Sequence, residues 1–544
     1  MFADKVFLNG SVHTNDPDKT VCSAFAVKDG CFVGIGSDDE MKAFVGDETE
    51  VFDLNGKTVL PGFFDAHCHP LLASHYLCGA YIPFDSTPEQ VLDIIRKHIE
   101  SHPDRKAYFG FGYLETMYPN NTLRKEVLDE LCADKPVVVL GSGGHEGWCN
   151  TKAFELANVT KDTPDPIPEF HFYERDENGE PSGRIVEIAC VNRILEWTDP
   201  FDESAIADNL RLFCAEYAAM GVTSFLESGV ISSMGEHGIP LMKKMVDSGE
   251  IPQRVIGCGN YVSLLEDVPR IIGELKSYRE QYDTDRFRIN TLKIINDGTN
   301  ESRSSAMKEP FMDGSQPDVL IGGKVLQDLC MEAAQNGFDI NIHACGDKTT
   351  WETLMMAKVI REAGFDDIRI TNSHTPSVDI PDIPLFGKYN VIANTTSVWH
   401  YLFPGLEEVV GTFRYEHSFM MNSILKTGAK MTLGSDFPVD EWGRDPVKGI
   451  EMGMTRRIYD HPEMPVLPPY DEKLTLDQCI DGYTISAAYQ AHMEDKLGSI
   501  ELGKYADFVI WSEDFYTAPV DHIHEITPLR TYCEGKLVYK SENC

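Results

Sequence analysis

The stretch LPGFFDAHCHP, residues 60–70, decides how the rest of the chain is interpreted. It reads as a buried strand, GFFDAH (62–67), that ends in His67-Cys68-His69. Side chains alternate along an extended strand, so His67 and His69 point to one side and Cys68 points to the other. Two imidazoles on one side of a strand can bind the same metal ion. We expect a metal site at the end of this strand, although two structural histidines would show the same spacing.

Seven more apolar or β-branched runs follow, and helical patterns such as 325–336, 351–364 and 415–427 separate several of them. The runs are VTSFLES (222–228), RVIGCGN (254–260), NTLKIIND (290–297), DINIHACG (339–346), IRITNSH (368–374), NVIANTT (390–396) and KMTLGSD (430–436). Eight strands that alternate with helices predict the α/β class and a parallel (β/α)8 TIM barrel. The barrel is expected over residues 61–489.

A long gap separates the first two barrel strands and predicts an insertion subdomain at about 70–220. Helical patterns and one strand, PVVVLGS, fall inside it, at 88–101, 123–132, 203–220 and 136–142. A subdomain with its own strand and helices is consistent with a barrel that is interrupted after its first strand.

Both ends of the chain are rich in strand and turn signals. Asn9-Gly10, Asp29-Gly30 and Asn55-Gly56 predict three hairpins near the amino terminus, and Gly503 and Glu534-Gly535 mark turns near the carboxyl terminus. We expect residues 1–60 and 490–544 to form one composite β-sandwich domain. Two separate β caps are the alternative.

The carboxyl ends of the predicted barrel strands carry further candidate ligands, and barrel enzymes place their catalytic groups at this rim. His343 ends the fifth strand, His374 the sixth and Asp436 the eighth, whereas Lys293 lies within the fourth, between apolar neighbours. A single histidine at a strand end is usually structural. Four histidines and an aspartate that converge on one rim favour a metal centre.

These segments resemble the amidohydrolase superfamily. Within it, the chain is similar to the long branch that includes the N-substituted formamide deformylases. Further motifs of that branch are GHEGWCNTKA (144–153), the run from Gly183 through Glu187 to Ala189, YTISAAY (483–489) and LGSIELGKYADFVIW (497–511). The motifs occur in the same order along almost the whole chain.

The resemblance implies a role for each ligand position. His67, His69 and Asp436 would bind the more buried metal ion, and His343 and His374 a second one. Lys293 would carry a carbamate derived from CO2 and bridge the two ions, which requires a neutral amine. A salt-bridged barrel lysine, close to Asp297, is the alternative for Lys293. One or two Zn²⁺ ions are expected for a histidine-rich site, with Mn²⁺ or another divalent ion as the alternative.

The resemblance also implies hydrolysis of a carbon–nitrogen bond in a small non-peptide amide, such as an N-substituted formamide, an N-acyl compound or a cyclic amide. Divalent ions would lower the pKa of water, and Asp436 would act as general base and then general acid. The alternatives are a mononuclear deaminase, other reactions of the superfamily (ester hydrolysis, isomerisation, decarboxylation) and an inactive metal-binding relative.

Several further residues are expected near the substrate. His145 is a candidate catalytic residue, with an internal hydrogen bond of the insertion as its alternative. Candidate substrate contacts are Tyr113, Tyr118, Trp148, Glu187, Arg303, Trp399 and His400. Arg303 would bind an anion of the substrate, or else lie in a surface loop, and Trp148 has core packing as its alternative.

Composition sets the limits on partners. The 544 residues carry a formal net charge of −39, which excludes nucleic acid as a partner because phosphates would be repelled. Fourteen cysteines without a C-x-x-C pair indicate a reducing compartment. There is no signal-peptide pattern and no long apolar stretch, so we expect a cytoplasmic protein without a membrane partner. A homodimer is expected on general grounds.

Overall fold

In a computed structural model, which describes residues 2–83, 86–114, 117–118, 122–168, 170–198, 202–439 and 443–542, the first strands divide between two sheets. The elements are β1 Lys5–Leu8, β2 Ser11–His13, β3 Val21–Cys22, β4 Ala24–Lys28, β5 Cys31–Gly36, α1 Asp38–Met41, β6 Glu50–Asp53 and β7 Thr58–Pro61. Strand β1 lies between β4 and β6 in one sheet, and β2 lies between β3 and β7 in the other.

One of the three turns predicted near the amino terminus closes a hairpin. Asp29 and Gly30, with φ of +50° and +78°, join the antiparallel strands β4 and β5. The hairpins predicted at Asn9-Gly10 and Asn55-Gly56 are wrong, because at these turns the chain crosses from one sheet to the other. Both edges of β1 are already occupied by β4 and β6, so β2 cannot pair with it.

The first barrel strand is β8, Phe63–Cys68, and the insertion follows it. The elements of the insertion are α2 Pro70–Tyr76, β9 Ala80–Tyr81, α3 Pro88–Ser101, β10 Tyr108–Tyr113, α4 Lys125–Asp129, β11 Val137–Gly141, β12 Glu146–Cys149, α5 Thr151–Leu156, β13 Phe172–Arg175, β14 Pro181–Val186, α6 Ile188–Thr198 and α7 Glu203–Ala219. Strands β9 to β14 form a sheet of their own. Helix α3 has the predicted bounds because Thr87 and Gln90 form a capping box at its start.

The central sheet continues from β8 with seven parallel strands, which confirms the predicted TIM barrel. The strands are β15 Val222–Glu227, β16 Arg254–Val262, β17 Phe287–Ile295, β18 Asp339–Ala344, β19 Ile370–His374, β20 Val391–Thr395 and β21 Met431–Leu433. The helices between and after them are α8 Ser232–Ser248, α9 Val268–Tyr282, α10 Gly323–Gln335, α11 Asp347–Glu362, α12 Ile383–Lys388, α13 Leu406–Val410, α14 Thr412–Glu416, α15 Met421–Leu425 and α16 Pro446–Thr455.

The single helix predicted over 415–427 is wrong, because α14 and α15 are separated by a break. Phe419 adopts a φ of +56°, a value that ends a right-handed helix. The carbonyls of Ser418 and Phe419 accept hydrogen bonds of 2.8 and 3.0 Å from the buried guanidinium of Arg456. These carbonyls therefore satisfy a buried cation instead of continuing a helix.

The barrel closes where the end of β21 meets β8. The backbone N–H of Asp436 donates a 2.7 Å hydrogen bond to the carbonyl of His67. A side chain at Gly434 would place its Cβ only 2.6 Å from the Cβ of His67, so glycine is required at this approach. The first and last barrel strands thus meet at the residues predicted to bind metal.

The carboxyl-terminal segment returns to the amino-terminal sheets. Its elements are α17 Leu476–Gly482, α18 Ile485–Gln490, β22 Phe508–Trp511, β23 Pro528–Cys533 and β24 Lys536–Lys540. Strand β22 pairs with β7, and the predicted turn at Glu534-Gly535 joins β23 to β24. Phe7 and Phe508 lie edge to face at 5.1 Å, and Phe508 stacks on Tyr532 at 4.5 Å. Aromatic packing therefore ties both ends of the chain together.

The described part of the chain contains no helix that is both long and apolar enough to cross a bilayer. The cysteines within it are all free thiols, and most of them are buried. Cys68, between the two histidines, donates from Sγ to the carbonyl of Leu226 at 3.6 Å, away from the imidazoles.

A buried ion-pair cluster joins the barrel to the carboxyl-terminal segment. Arg254, at the start of β16, is 1% exposed and contacts Asp507 and Glu534, the latter at 2.6 Å. The Arg254 guanidinium also lies 4.2 Å from the centre of the Tyr505 ring. Loss of the guanidinium would leave the buried Asp507 carboxylate without its counter-charge.

We predict that Arg254→Met lowers the free energy of unfolding by about 3–5 kcal/mol, because it leaves a buried carboxylate unpaired. Equilibrium urea unfolding followed by circular dichroism would measure this. The control is Arg211→Ala, which removes an exposed arginine that pairs with Glu250 at 2.6 Å and should cost about 1 kcal/mol or less. Equal losses in both variants would contradict the buried-cluster explanation.

Candidate metal centre

Three ligand groups meet where β8 and β21 close the barrel. His67 lies near the end of β8, His69 is the N-cap residue of α2, and Asp436 follows β21. The Nε2 atoms of His67 and His69 each lie 3.4 Å from Oδ1 of Asp436. One ligand atom from each of the three residues lies within 4.8 Å of the others. This spacing allows all three groups to bind one cation.

A second pair of imidazoles adjoins this group. The rings of His343 and His374 are 4.4 Å apart between centroids, and the His374 ring is 4.8 Å from that of His67. Nδ1 of His374 lies 3.5 Å from Oδ2 of Asp436. Lys293 lines the same cavity as His69, His343, His374 and Asp436. The barrel thus brings the six predicted ligand positions to one rim.

Several polar atoms of this cluster are buried and have no hydrogen-bond partner among the described residues. They are both ring nitrogens of His67, both ring nitrogens of His374, and Oδ1 of Asp436. Buried polar atoms without partners are costly and rare in native proteins. A divalent cation would satisfy them together, and imidazole nitrogen with carboxylate oxygen is a donor set that such ions prefer.

The electrostatics of the cluster favour the neutral form of its histidines. Burial lowers the pKa of His67, His343 and His374 well below the usual range, and neighbouring cationic groups, among them Lys293, lower it further. A neutral imidazole has a lone pair to offer a metal ion, whereas an imidazolium does not. These imidazoles can therefore bind a cation without first losing a proton.

A backbone contact orients His69. Its Nδ1 lies 2.9 Å from the carbonyl of Gly229, which can only accept, so Nδ1 carries the proton and Nε2 faces Asp436 with its lone pair. Glu227 supports the same corner from the end of β15, where it accepts a hydrogen bond from the backbone of Leu71. Burial raises the pKa of Glu227 to about 8. Glu227 has no sequence motif that marks it as part of this site, because only the fold brings β15 next to β8.

Asp65 fixes the junction of β8 and β21. Its carboxylate accepts hydrogen bonds from the hydroxyl of Tyr217 at 2.7 Å and from the backbone N–H groups of Ser435 at 3.0 Å and His67 at 3.1 Å. Burial raises the pKa of Asp65 to about 6, and these hydrogen bonds oppose that rise. Asp65 therefore positions the chain on either side of the ligand group.

The alternative that places Lys293 in a salt bridge with Asp297 is wrong. Asp297 accepts from the hydroxyl of Thr349 at 2.6 Å and from three backbone N–H groups, including that of Gly346 at 2.8 Å. The Lys293 ammonium instead lies 3.5 Å from Oδ1 of Asn341, and burial lowers its pKa to about 8. Asp297 thus holds the loop that follows His343 and does not neutralise the lysine.

The insertion contributes His145 to the rim of the barrel. Nδ1 of His145 lies 2.6 Å from Oε2 of Glu187, and the backbone N–H of Glu187 donates to the carbonyl of His145 at 2.6 Å. The His145 ring is 5.7 Å from that of His343. The pair of His145 and Glu187 therefore lies beside the imidazole of His343.

The predicted substrate contacts divide into two groups. Tyr118, Trp399 and Arg303 line the cavity, and Trp399 stacks on His374 at 5.9 Å. The other residues are buried outside the cavity lining and have structural contacts: Tyr113 donates to Glu146, Trp148 donates to the carbonyl of Arg124, Glu187 contacts His145, and His400 contacts Thr395. Trp148 and His400 are therefore core residues, because their strand or turn directs them away from the cavity.

The structure also changes the interpretation of Arg303. Its Nε lies 3.2 Å from Oδ2 of Asp313, so its charge is already balanced by a neighbouring carboxylate. An anion of the substrate would have to compete with Asp313. The neighbouring Glu301 also lines the cavity, although no sequence motif marks it as a site residue. Nothing in the surrounding sequence indicates which way its side chain points.

The cavity above the ligands has a volume of about 1910 Å³ and mixes many apolar with fewer polar groups. Aromatic rings form much of its wall, including Tyr76, Phe111, Phe170, Phe172, Trp399 and Tyr401. The insertion and the barrel loops both contribute to this wall. A pocket of this composition is suited to an organic molecule with a substantial apolar part.

Comparison with known proteins gives consistent results. A family model described as "Amidohydrolase family" matches residues 50–539. The chain is 28% identical over 440 residues to the exoenzymes regulatory protein AepA of Pectobacterium carotovorum subsp. carotovorum, which covers 79% of this chain and 93% of that protein. It is 25% identical over 561 residues to the N-substituted formamide deformylase of Arthrobacter pascens, with 99% and 98% covered.

The fold is similar to that of solved structures. The crystal structure of an uncharacterized metal-dependent hydrolase from Pyrococcus horikoshii OT3 superposes with a TM-score of 0.74 and 20% identity, covering 95% of this chain and 99% of that one. At this level of identity the likeness concerns the fold.

We predict that Zn²⁺ or Mn²⁺ stabilises the protein against heat, since a cation would bind the buried nitrogen and oxygen atoms of His67, His374 and Asp436 that have no partner among the described residues. Binding at a hundred times the dissociation constant adds about 2.7 kcal/mol. Differential scanning fluorimetry with and without a chelator would measure the shift.

Asp436→Asn should remove most of that shift. The control is Asp339→Asn, which alters a buried aspartate at the start of β18, at the opposite end of the barrel. This variant should keep the shift, and a metal effect that survives in Asp436→Asn would contradict the assigned site.

Proposed function

The chain belongs to the amidohydrolase family, and from that premise we propose that it hydrolyses a carbon–nitrogen bond in a small, non-peptide amide. The observation that carries the proposal is the group of buried ring nitrogens of His67 and His374 and Oδ1 of Asp436, none of which has a hydrogen-bond partner among the described residues. The N-substituted formamide deformylase of Arthrobacter pascens, which is similar over nearly the whole chain, supports an amide as substrate.

Zn²⁺ is the proposed metal, with Mn²⁺ as the alternative. His67, His69 and Asp436 would hold one ion, and His343 and His374 a second one. A divalent ion held there would polarise the carbonyl of the substrate and lower the pKa of water. Imidazole and carboxylate ligands suit Zn²⁺, which accepts nitrogen and oxygen donors in sites with an open position.

Lys293 is proposed to carry a carbamate between the two ions. Formation of a carbamate requires the neutral amine, and burial lowers the pKa of Lys293 to about 8, so the neutral amine is accessible near neutral pH. The only hydrogen bond of its ammonium to another described side chain is the 3.5 Å contact with Asn341. A long contact of this kind leaves the amine available for reaction.

Asp436 is proposed to move the proton. Its Oδ1 has no hydrogen-bond partner within the described ranges, and its carboxylate faces His67, His69 and His374 at 3.4 to 3.5 Å. It would accept a proton from the attacking water and then deliver it to the departing nitrogen of the amide. The pair of His145 and Glu187 would stand beside the substrate as a second hydrogen-bonding group.

Experiments can distinguish two other functions from amide hydrolysis. A mononuclear deaminase would bind one ion without the help of Lys293. An inactive metal-binding relative would hold metal without turnover. The screen that separates these functions tests N-formyl, N-acyl and cyclic amides and aminopurines with protein loaded with Zn²⁺ or Mn²⁺, and follows ammonia and free amine. Release of ammonia from an aminopurine, without hydrolysis of any of the amides, would favour the deaminase.

We predict that Asp436→Asn lowers kcat by about 10²–10⁴-fold, the usual contribution of a positioned proton-transfer group. Because Asp436→Asn should also weaken metal binding, turnover of the best amide from the screen would be measured with added metal at concentrations that give equal occupancy, established by mass spectrometry. Circular dichroism would verify the fold. Turnover near that of the wild type would contradict the proton-transfer role.

For Lys293→Ala we predict the loss of the second metal ion. Short carboxylic acids such as acetate or propionate should partly restore binding, because they supply the oxygens of the missing carbamate. The measurements are metal stoichiometry and the mass of the intact wild-type protein, which a carbamate would raise. An unchanged stoichiometry in the variant would refute a bridging lysine.

A further inference from the structure

Glu301 places an acidic side chain in the cavity above the metal centre. It lies in the loop DGTNESRSS (297–305) that follows β17, where it is exposed and is one of the residues that line the cavity. The surrounding protein removes solvation from the carboxyl group and raises its pKa, while its own backbone N–H and the Thr299 side chain oppose that rise.

Across the described ranges, no lysine or arginine forms an ion pair with Glu301, although ion pairs of its neighbours are present. The residues outside those ranges contain no lysine, arginine or histidine. A carboxylate on a cavity wall that lacks a counter-charge attracts a cation, because the surrounding protein weakens the screening by solvent. A cationic group of a ligand would supply that counter-charge.

His145 interacts electrostatically with Glu301 but already has another carboxylate partner. Its Nδ1 lies 2.6 Å from Oε2 of the buried Glu187. One imidazolium cannot neutralise two carboxylates. His145 therefore does not fully balance the charge of Glu301.

The other charged residues of the cavity wall are paired. Arg303 is balanced by Asp313 at 3.2 Å, and Asp318 by Lys348 at 2.7 Å. In the wall formed by the insertion, Arg184 lies against two carboxylates, those of Glu146 and Glu174. That wall therefore also has an excess of negative charge. Among the described lining residues outside the metal centre, no cation remains free to attract an anionic ligand.

The aromatic wall would support a cation as well. Rings such as Trp399, Tyr401, Phe170 and Phe172 face the same cavity. Organic cations are attracted both to carboxylates and to aromatic faces. The carboxylate of Glu301 would repel an anion, and the described guanidinium groups of the cavity wall, those of Arg184 and Arg303, are already paired.

We propose that Glu301 binds a positively charged nitrogen group of the substrate, namely a protonated amine, an amidinium or a guanidinium. The substrate would then be a cationic amide whose apolar part contacts the aromatic wall. This inference rests on the proposed function and adds to it the charge of the substrate and the residue that recognises it. Glu301 selects the substrate, and the metal ligands and Asp436 act on its amide bond.

The test compares two probes of the same shape, benzamidinium and acetophenone, of which only the first is charged. Neither is an amide, so binding is measured without turnover, by isothermal titration calorimetry with the Zn²⁺-loaded protein. We expect benzamidinium to bind the wild type at least about tenfold more tightly than acetophenone, as a partly desolvated charge pair requires. In Glu301→Gln the ratio should fall to about one.

Two further variants sharpen the result. Asp318→Asn removes an equal charge from the same cavity wall, but from a carboxylate that Lys348 already balances. It should keep the preference for benzamidinium, and Glu301→Asp should keep part of it. Melting curves of all variants would show that they are folded. The subsite is overturned if the wild type shows no preference, if Glu301→Gln retains it, or if Asp318→Asn loses it equally.

A role of Glu301 through His145 would give a different pattern. Glu301→Gln would then lower the affinity for both probes by the same factor, which would overturn a cation subsite. The proposed function fails separately, when the metal-loaded wild type hydrolyses no amide yet still prefers benzamidinium. If both proposals hold, Glu301→Gln raises KM for amides that carry an amidinium group and leaves KM for neutral amides unchanged.

Discussion

The hydrogen bond from the backbone of Asp436 to the carbonyl of His67 is the contact on which the functional rim depends. It joins the last barrel strand to the first, and the absence of a side chain at Gly434 allows the close approach. Asp65 reinforces the junction by accepting hydrogen bonds from both sides of it. Residues about 370 positions apart thus form one ligand group. A barrel that did not close here would separate the carboxylate from its imidazoles.

Burial then sets the chemical state of the site. It lowers the pKa of His67, His343 and His374, so that their imidazoles are neutral, and it lowers the pKa of Lys293 to about 8. Low dielectric thus favours uncharged nitrogen ligands and an accessible neutral amine. The net charge of −39 has little part in this, because it is distributed over the whole chain. Selection by charge depends on local groups such as Glu301.

The insertion covers part of the barrel rim and so encloses a pocket. Its sheet carries His145, fixed by Glu187, to within 5.7 Å of His343, measured between ring centroids. Its strands and loops add an aromatic wall and the acidic cluster around Arg184. The loop after β17, which belongs to the barrel, contributes Glu301. The barrel therefore supplies the reactive groups, whereas the boundary between barrel and insertion supplies the features that would select a substrate.

The eight barrel strands and the strand-end residues His67, His69, His343, His374 and Asp436 can be predicted from the sequence, because side-chain alternation and hydrophobic periodicity are local properties. Which of these elements pair depends on the tertiary fold. In the fold, Asn9-Gly10 lies where the chain crosses between sheets, Trp148 and His400 are buried in the core, and Asp313 balances Arg303. The fold also brings Asp65, Glu227 and Glu301 to the site. The orientation and partners of a side chain depend on segments far away in the sequence, and no local pattern records them.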